Sequence, residues 1–270
     1  MDMGLTDKKA FVGGASRGIG KAIALDLARE GVDVAIASRN LEDLEKAARE
    51  IEDATGRKIF PFALDVTKRD QVDRVIAEAA QKLGGLHILV NSASLPGGSP
   101  TATGPIDSVV DEDLIGDFDV KFVGALRCSR AAIPLLKEQG WGRIINVIGN
   151  DGIKPIYFEI TPGAANAAGI NFTLAIAEEL APFGITVNAL NPGPVDTDRW
   201  WGLVRTMSRE KGITEEEAQM RAISSIPIGR LCTPEEVADM VVFLGSERAS
   251  FVTGAAISMD GGQRKAIMDV

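Results

Sequence analysis

Short apolar runs alternate with longer amphipathic segments along the chain, and this alternation limits the possible folds more than any other feature. Apolar runs of this length are typical of buried strands, and the segments between them are long enough for helices. The predicted strands are residues 10–12, 32–37, 59–64, 86–90, 143–148, 186–190 and 256–258. The alternation predicts an α/β fold, with a doubly wound parallel sheet of about seven strands and helices on both faces.

A proline in the third run indicates the strand order. Pro61 has no N–H to donate to a neighbouring strand, so we expect its strand at the edge of the sheet. The order 3-2-1-4-5-6-7 places the third strand there. Because no repeat or low-complexity linker divides the chain, residues 1–270 are predicted to form one domain.

Two Thr-x-x-Glu segments predict helix starts late in the chain. Thr233 to Glu236 has the threonine, first-turn proline and glutamate of a capping box, and Thr214 to Glu217 has a similar pattern. Residues 94–105 and 198–230 interrupt the alternation. Both segments follow predicted strand ends on the carboxyl side, where open α/β sheets bind their ligands.

Composition excludes several classes of partner and site. The net charge is −9, so nucleic acid and anionic membranes are not expected as partners. Only Cys128, Cys232 and His87 are available as soft ligands, and their spacing does not fit a metal site. The two distant cysteines predict free thiols and a cytoplasmic location. We see no secretory signal and no run of 18 apolar residues, so no membrane segment is expected.

The strongest local signal is a glycine-rich turn between the first strand and the first helix. Gly14, Gly18 and Gly20 let the backbone turn tightly, and the N–H groups at the helix start then favour an anion such as a pyrophosphate. A tight turn alone would also select glycine, but the strand-turn-helix setting favours a nucleotide site.

The chain resembles the short-chain dehydrogenase/reductase family from its first strand to Asp260, with the Rossmann-type fold that this family has. The resemblance rests on the glycine spacing, on Asp65-Val66, on residues 91–94 and on residues 191–197. It implies a dinucleotide held by the glycine turn, by Asp65 and Val66 at the adenine, and by residues 191–197 at the nicotinamide. The predicted cofactor-binding residues are Gly14, Ser16, Arg17, Gly18, Ile19, Gly20, Ser38, Arg39, Asp65, Val66, Asn91, Ala93, Pro192, Val195 and Thr197.

The residues after the second strand favour NADP(H) over NAD(H). Enzymes that prefer NAD usually place a carboxylate there to bind the ribose 2′-hydroxyl, whereas this chain has Ser38 and Arg39. Together with Arg17, Arg39 would provide two guanidinium groups for a 2′-phosphate. The alternative is that both arginines are ordinary surface residues.

The catalytic residues that the family uses are replaced in this chain. The resemblance implies a tyrosine, a lysine four residues later, a serine after the fifth strand and a helix asparagine. Pro162, Asn166, Gly149 and Lys121 stand at these positions. Pro162 is predicted to open a helix that is capped by Thr161.

Lysine and asparagine have exchanged helices relative to the family pattern, which suggests a rearranged site. If Lys121 and Asn166 face one cavity, the site keeps an amine and an amide; otherwise Lys121 is a solvated lysine and Asn166 a packing residue. Tyr157, the only tyrosine, is a second candidate proton donor, and Glu159 and Asp151 are less favoured ones. The predicted catalytic residues are therefore Lys121, Tyr157 and Asn166.

The resemblance also bears on substrate and assembly. It implies that residues 198–230 form a substrate lid, in which Trp200 and Trp201 favour a small hydrophobic or ring-containing substrate, with packing in the core as the alternative. It further implies a homodimer or homotetramer, assembled through the helices around Lys121 and Phe172 and the last strand.

Three functional hypotheses follow. The first is an NADP(H)-dependent oxidoreductase that acts on a carbonyl or alcohol with a relocated proton donor. The second is a cofactor-binding lyase, dehydratase or isomerase that uses Lys121. The third is a non-catalytic nucleotide-binding subunit or sensor.

Overall fold

The structure is a computed structural model that describes residues 2–95, 105–155 and 159–263. Its centre is a seven-stranded sheet in which all neighbouring strands pair in parallel, in the order β3-β2-β1-β4-β5-β6-β7. The strands are β1 (Lys9–Gly13), β2 (Asp33–Ser38), β3 (Ile59–Ala63), β4 (Ile88–Asn91), β5 (Gly142–Val147), β6 (Ile185–Pro192) and β7 (Ala256–Met259). The predicted fold class and strand order are confirmed.

Nine α-helices of the described ranges surround the sheet. They are α1 (Gly18–Arg29), α2 (Leu41–Thr55), α3 (Arg69–Leu83), α4 (Asp111–Asp117), α5 (Gly124–Gln139), α6 (Ile160–Leu180), α7 (Asp198–Lys211), α8 (Glu215–Ser224) and α9 (Pro234–Gly245). Apolar residues of α1, α2 and α9 form the core on one face of the sheet, and those of α3, α5 and α6 form the core on the other face. The predicted strands are apolar runs with side chains on both faces of the sheet, and helices on both faces bury these side chains.

Pro61 lies in β3, at the edge of the sheet, opposite Ile36 of β2. Its missing N–H leaves the pairing intact because β3 has a strand neighbour on one side only. The edge position predicted from this proline is therefore correct.

The two predicted capping boxes are present. The Thr233 Oγ1 accepts a hydrogen bond from the Glu236 backbone N–H at 3.2 Å, and the Glu236 carboxylate accepts one from the Thr233 N–H at 2.9 Å. Thr214 and Glu217 make the same pair of bonds at the start of α8. Each box satisfies two N–H groups that a helix start otherwise leaves free.

The predicted start of α6 is wrong by two residues. The helix begins at Ile160, and Thr161 is not its cap, because its hydroxyl donates to the Asp117 carboxylate at 2.6 Å. Pro162 is the third helical residue. It still lies in the first turn, where no backbone N–H has a partner within the helix, so it removes no hydrogen bond.

Helices α7 and α8 form a small apolar cluster of their own beside the carboxyl edge of the sheet. Its buried members are Trp200, Val204, Met207, Ala218 and Ala222. In the described part of the chain, no helix is both long and apolar enough to cross a membrane.

Candidate active site

The loops that follow β1, β4, β5 and β6 meet at the carboxyl edge of the sheet, around a cavity of about 220 Å³. Helices α5, α6 and α7 contribute further wall residues. This is the position at which open α/β sheets bind ligands. The predicted site residues can therefore be followed loop by loop.

The turn after β1 is closed so tightly that two of its glycines leave no room for a side chain. A Cβ on Gly14 would lie 2.5 Å from the Ser92 carbonyl oxygen, and one on Gly20 would lie 2.2 Å from the Gly14 carbonyl oxygen. Gly18 has a φ of +54°, which also favours glycine. No side chain caps the start of α1, so its first N–H groups stay open to an anion. Ser16 is half-buried in this turn, and Ile19 lines the cavity.

The end of β2 carries a cation and no carboxylate. Ser38 closes the strand, exposed Arg39 follows it, and Asn40 caps α2 through its side-chain oxygen. Arg17 is exposed on the neighbouring turn and lies 3.8 Å from the Asp198 carboxylate. Both arginines are exposed, Arg39 at the end of β2 and Arg17 in the glycine turn.

Asp65 and Val66 follow β3 and are fixed by local contacts. The Asp65 carboxylate accepts from the Thr67 N–H at 3.0 Å and from the Thr67 hydroxyl at 2.7 Å. Burial raises the pKa of Asp65, but these bonds outweigh that effect and hold the pKa below its usual value. Val66 lines the cavity and packs closely against Gly124, where a Cβ would lie 2.8 Å from the Val66 Cγ2.

The segments after β4 and β6 face each other across the cavity. Asn91 is buried and donates to the Asn146 side-chain oxygen at 2.8 Å, which fixes β4 to β5. Ala93 follows it at the cavity wall. On the opposite side the wall is formed by Pro192, Val195 and Thr197. Residues of all four cofactor motifs therefore line one cavity. The other predicted cofactor-binding residues are not part of its lining: Gly14, Ser16, Arg17, Gly18, Gly20, Ser38, Arg39 and Asp65.

This arrangement fits a dinucleotide. The glycine turn provides a cradle that a Cβ would fill, the start of α1 provides open N–H groups, and Arg17 and Arg39 lie at its rim. An extended anionic ligand could therefore run from the end of β2 across the turn into the cavity.

Lys121 lies in a π-helical segment, Phe118–Val123, that joins α4 to α5. Single π-turns of this kind interrupt a helix and are frequent at functional sites. The Lys121 Nζ lines the cavity and donates to the Asn166 Oδ1 at 3.1 Å. Asn166 is buried in α6, and its amide in turn donates to the Asp151 carboxylate. Lys121 and Asn166 thus share one environment, linked through the amide to Asp151.

Gly149 and Pro162 stand where the resemblance implies the family's serine and tyrosine, and neither carries a hydroxyl group. A Cβ on Gly149 would lie 2.6 Å from the Asn166 Nδ2 and 2.7 Å from the Asp151 Oδ1. The bond between Asn166 and Asp151 therefore occupies the space that a serine would need. Pro162 lines the cavity but carries no transferable proton.

Five ionisable side chains are grouped at this end of the cavity. Burial and the nearby Arg199 lower the pKa of Lys121, while the carboxylates of Asp151, Asp117 and Glu159 oppose this shift. Burial, followed by repulsion from Asp151, raises the pKa of Glu159 to about 7, against the attraction of the two cations. Opposite shifts in neighbouring groups are typical of sites that transfer protons.

Two members of this group were not identified from the sequence. Asp117 lies four residues before Lys121, a spacing that often places side chains on one helix face, and this was an available signal. Arg199 is the second residue of the segment 198–230, and no sequence motif around it indicates a functional role. Tyr157, the other predicted proton donor, lies outside the described residues.

Comparison with known proteins identifies the family. The model of a family described as Enoyl-(Acyl carrier protein) reductase matches residues 14–264. The NADPH-dependent reductase BacG of Bacillus subtilis is 36% identical over 264 residues, which cover 97% of this chain and 100% of that protein. The chain belongs to the short-chain dehydrogenase/reductase family. This membership confirms the resemblance seen in the motifs, and it makes the chain an oxidoreductase of that family.

Other short-chain dehydrogenase/reductase members are nearly as similar. The 3-oxoacyl-[acyl-carrier-protein] reductase FabG of Thermotoga maritima is 35% identical over 260 residues, covering 96% of this chain and 99% of that protein. The crystal structure of L-sorbose reductase from Gluconobacter frateurii, complexed with NADPH and L-sorbose, superposes with a TM-score of 0.91. It is 32% identical and covers 98% of this chain and 100% of that chain. This chain therefore shares its fold with the L-sorbose reductase over nearly the full length of both proteins.

Proposed function

We propose that this chain is an NADP(H)-dependent reductase of a small carbonyl compound, with Lys121 as its proton donor. The observation that carries the proposal is the hydrogen bond from the Lys121 Nζ to the Asn166 Oδ1, inside the cavity that the cofactor motifs line. It supplies an oriented amine at a site that lacks the family's tyrosine. In the opposite direction Lys121, as a neutral amine, would accept the hydroxyl proton of an alcohol whose hydride passes to NADP⁺.

The cofactor, when bound, supplies a hydride to the carbonyl carbon. The task left to the chain is to protonate the carbonyl oxygen as negative charge develops on it. Asn166 and Asp151 hold the ammonium of Lys121 in place, and the lowered pKa of Lys121 makes it a stronger acid than an exposed lysine. The transfer leaves alcohol and a neutral amine, which regains a proton before the next turnover.

NADP(H) rather than NAD(H) is supported by Arg39, by Arg17 and by the relatives. The B. subtilis protein is named as NADPH-dependent, and the L-sorbose reductase was crystallised with NADPH. The two arginines provide the positive charge that a 2′-phosphate needs, at a strand end without a carboxylate.

A fluorescence titration with NADPH and NADH tests the cofactor part of the proposal. We expect NADPH to bind at least about tenfold more tightly, since charged hydrogen bonds to a phosphate contribute that much or more. In Arg39→Gln the affinity for NADPH should fall while that for NADH stays, and Arg49→Gln, on exposed α2, serves as the matched control. Equal affinities would refute the preference, and no binding of either cofactor would refute the oxidoreductase proposal and leave a scaffold or partner subunit.

Consumption of NADPH with a panel of aldehydes and ketones tests the reaction. We expect one mole of alcohol for each mole of NADPH oxidised, with the product identified by mass spectrometry. Conversion of a substrate without net NADPH oxidation would instead support the lyase or isomerase hypothesis.

We further propose that the chain works in the cytoplasm as a homodimer or homotetramer. Cys128 is buried and Cys232 half-buried, and both are free thiols, as a reducing compartment requires. Leu174 on α6 is 42% exposed and Phe251, before the edge strand β7, is fully exposed. Apolar side chains at these two places are consistent with contacts between copies.

A further inference from the structure

Arg199 is the second residue of α7, and its half-buried side chain lines the same cavity as Lys121. Its Nη1 donates to the Leu95 carbonyl oxygen at 3.2 Å. This bond fixes the guanidinium and uses one of its five N–H donors, and among the described residues no other acceptor binds it. Because the side chain lines the cavity, its other N–H donors are available to a ligand there.

No carboxylate of the described residues forms an ion pair with Arg199. The acids around it are committed elsewhere: Asp117 accepts from Thr161, and Asp151 accepts from Asn166. Glu159 shares the cavity and attracts Arg199, but burial and repulsion from Asp151 raise its pKa to about 7, so it is mostly neutral only below that pH, and no ion pair joins the two side chains. A half-buried guanidinium without an anion is unfavourable, and a ligand anion would relieve this.

The walls beside Arg199 are apolar. Trp200, Leu203 and Phe172 line the cavity near it, whereas Trp201 turns away and donates to the Asp196 carboxylate at 3.0 Å. The cavity thus offers two cations, Lys121 and Arg199, beside the carboxyl groups of Asp151 and Glu159 and an apolar wall. A matching ligand has two oxygen-bearing ends and an apolar body.

We propose that Arg199 binds a carboxylate of the substrate, so that the substrate class is an oxo acid, or a hydroxy acid in the reverse direction. The carboxylate accepts two hydrogen bonds from the guanidinium, while Lys121 serves the carbonyl oxygen at the other end. This inference rests on the proposed reductase function for the carbonyl end. The carboxylate end rests on Arg199 alone.

Matched pairs of oxo acids and their methyl esters provide the test. The panel contains aliphatic and six-membered-ring compounds with one to six carbons between the carbonyl and the carboxyl group. Each is measured for kcat/KM of NADPH oxidation and, by calorimetry, for binding to protein saturated with NADP⁺. The proteins are the parent, Arg199→Gln, Arg199→Lys, and Arg205→Gln as a control on the exposed side of α7.

For the parent and for Arg205→Gln we expect at least one acid to exceed its ester by about tenfold or more in binding and in kcat/KM. Arg199→Gln should abolish this preference, mainly by raising KM, and Arg199→Lys should retain part of it, because a lysine keeps the charge but not the planar fork.

The inference is wrong if acids and esters bind equally, if no acid binds, or if the preference survives in Arg199→Gln. A different result separates it from the proposed reaction. If acids bind more tightly than esters through Arg199 while NADPH is never oxidised, the carboxylate site stands and the reductase proposal fails.

Discussion

At the scale of single residues, Gly149 shows that the replaced positions depend on one another. A Cβ added here would come within 2.7 Å of the Asn166 Nδ2 and the Asp151 Oδ1, so a serine would require these two side chains to move and would disturb the amide link between Lys121 and Asp151. The site is therefore not a family site from which residues were simply lost. Its replacements fit together sterically.

Restoring the serine should accordingly impair the protein. In Gly149→Ser we expect a loss of stability of about 1–3 kcal/mol, because the added atoms overfill a packed site, and a fall in NADPH oxidation. Urea unfolding and steady-state rates measure the two effects, with Ala164→Ser on the exposed face of α6 as control. A variant that is as stable as the parent and more active would contradict this account.

The raised pKa of Glu159 makes the stability of the folded protein depend on pH. Its pKa is about 7 in the folded protein because of burial, against 4.5 for the free group. Between these values the folded protein keeps a proton that the unfolded chain has lost, so stability falls as the pH rises through this window.

Glu159→Gln removes this titration. We expect the variant to be more stable than the parent above pH 7, by about 1–3 kcal/mol, and the difference to disappear towards pH 4.5. Urea unfolding from pH 4.5 to 8 measures it, and Glu178→Gln, at an exposed position of α6, should show no such trend. A stability difference between variant and parent that grows as the pH falls would contradict this prediction.

At the scale of elements, the two capping boxes allow the main core to be compared with the small cluster of α7 and α8. Helix α9 packs in the core around β1, whereas α8 belongs to the small cluster with α7. Thr233→Ala should lower the global free energy of unfolding by about 1 kcal/mol. Thr214→Ala should chiefly loosen α8, which increases hydrogen exchange there and changes the global value less. Equal global losses would show that α8 unfolds together with the core.

The elements themselves could largely be predicted from the sequence. Every strand lies within two residues of its prediction, because buried parallel strands are short, apolar and separated by helices. The start of α6 was predicted wrongly since the hydroxyl of Thr161 is taken by Asp117, a contact across 44 residues. The π-helical segment at Lys121 carries no local sequence signal either.

The same limit applies to the site. Glycine spacing is a local pattern, so the cofactor turn could be found directly. The meeting of Lys121 with Asn166 was inferred only from an alignment, and its link to Asp151 depends on how β5 ends. Arg199 could not be identified from the sequence. Its importance depends on the three-dimensional arrangement, in which Asp117 and Asp151 bind other residues and leave Arg199 without an ion pair among the described residues.

At the scale of the whole molecule, we expect an oligomer. Light scattering during size-exclusion chromatography should give two or four times the chain mass of 28.6 kDa. Phe251→Ser should weaken the assembly if the exposed phenylalanine lies between copies, with Met220→Ser on α8 as a control. A mass of one chain at micromolar concentration would contradict the expectation.

The central claim is that Lys121 protonates the substrate in an NADPH-dependent reduction. Single-turnover NADPH oxidation by the parent, Lys121→Met and Tyr157→Phe tests it most directly, with the NADPH dissociation constant measured for each. The account predicts a rate loss of about 10²–10⁴-fold in Lys121→Met, at unchanged NADPH affinity, and a rate near the parent's in Tyr157→Phe. A Lys121→Met variant that keeps the parent's rate, or a comparable loss in Tyr157→Phe alone, would contradict it.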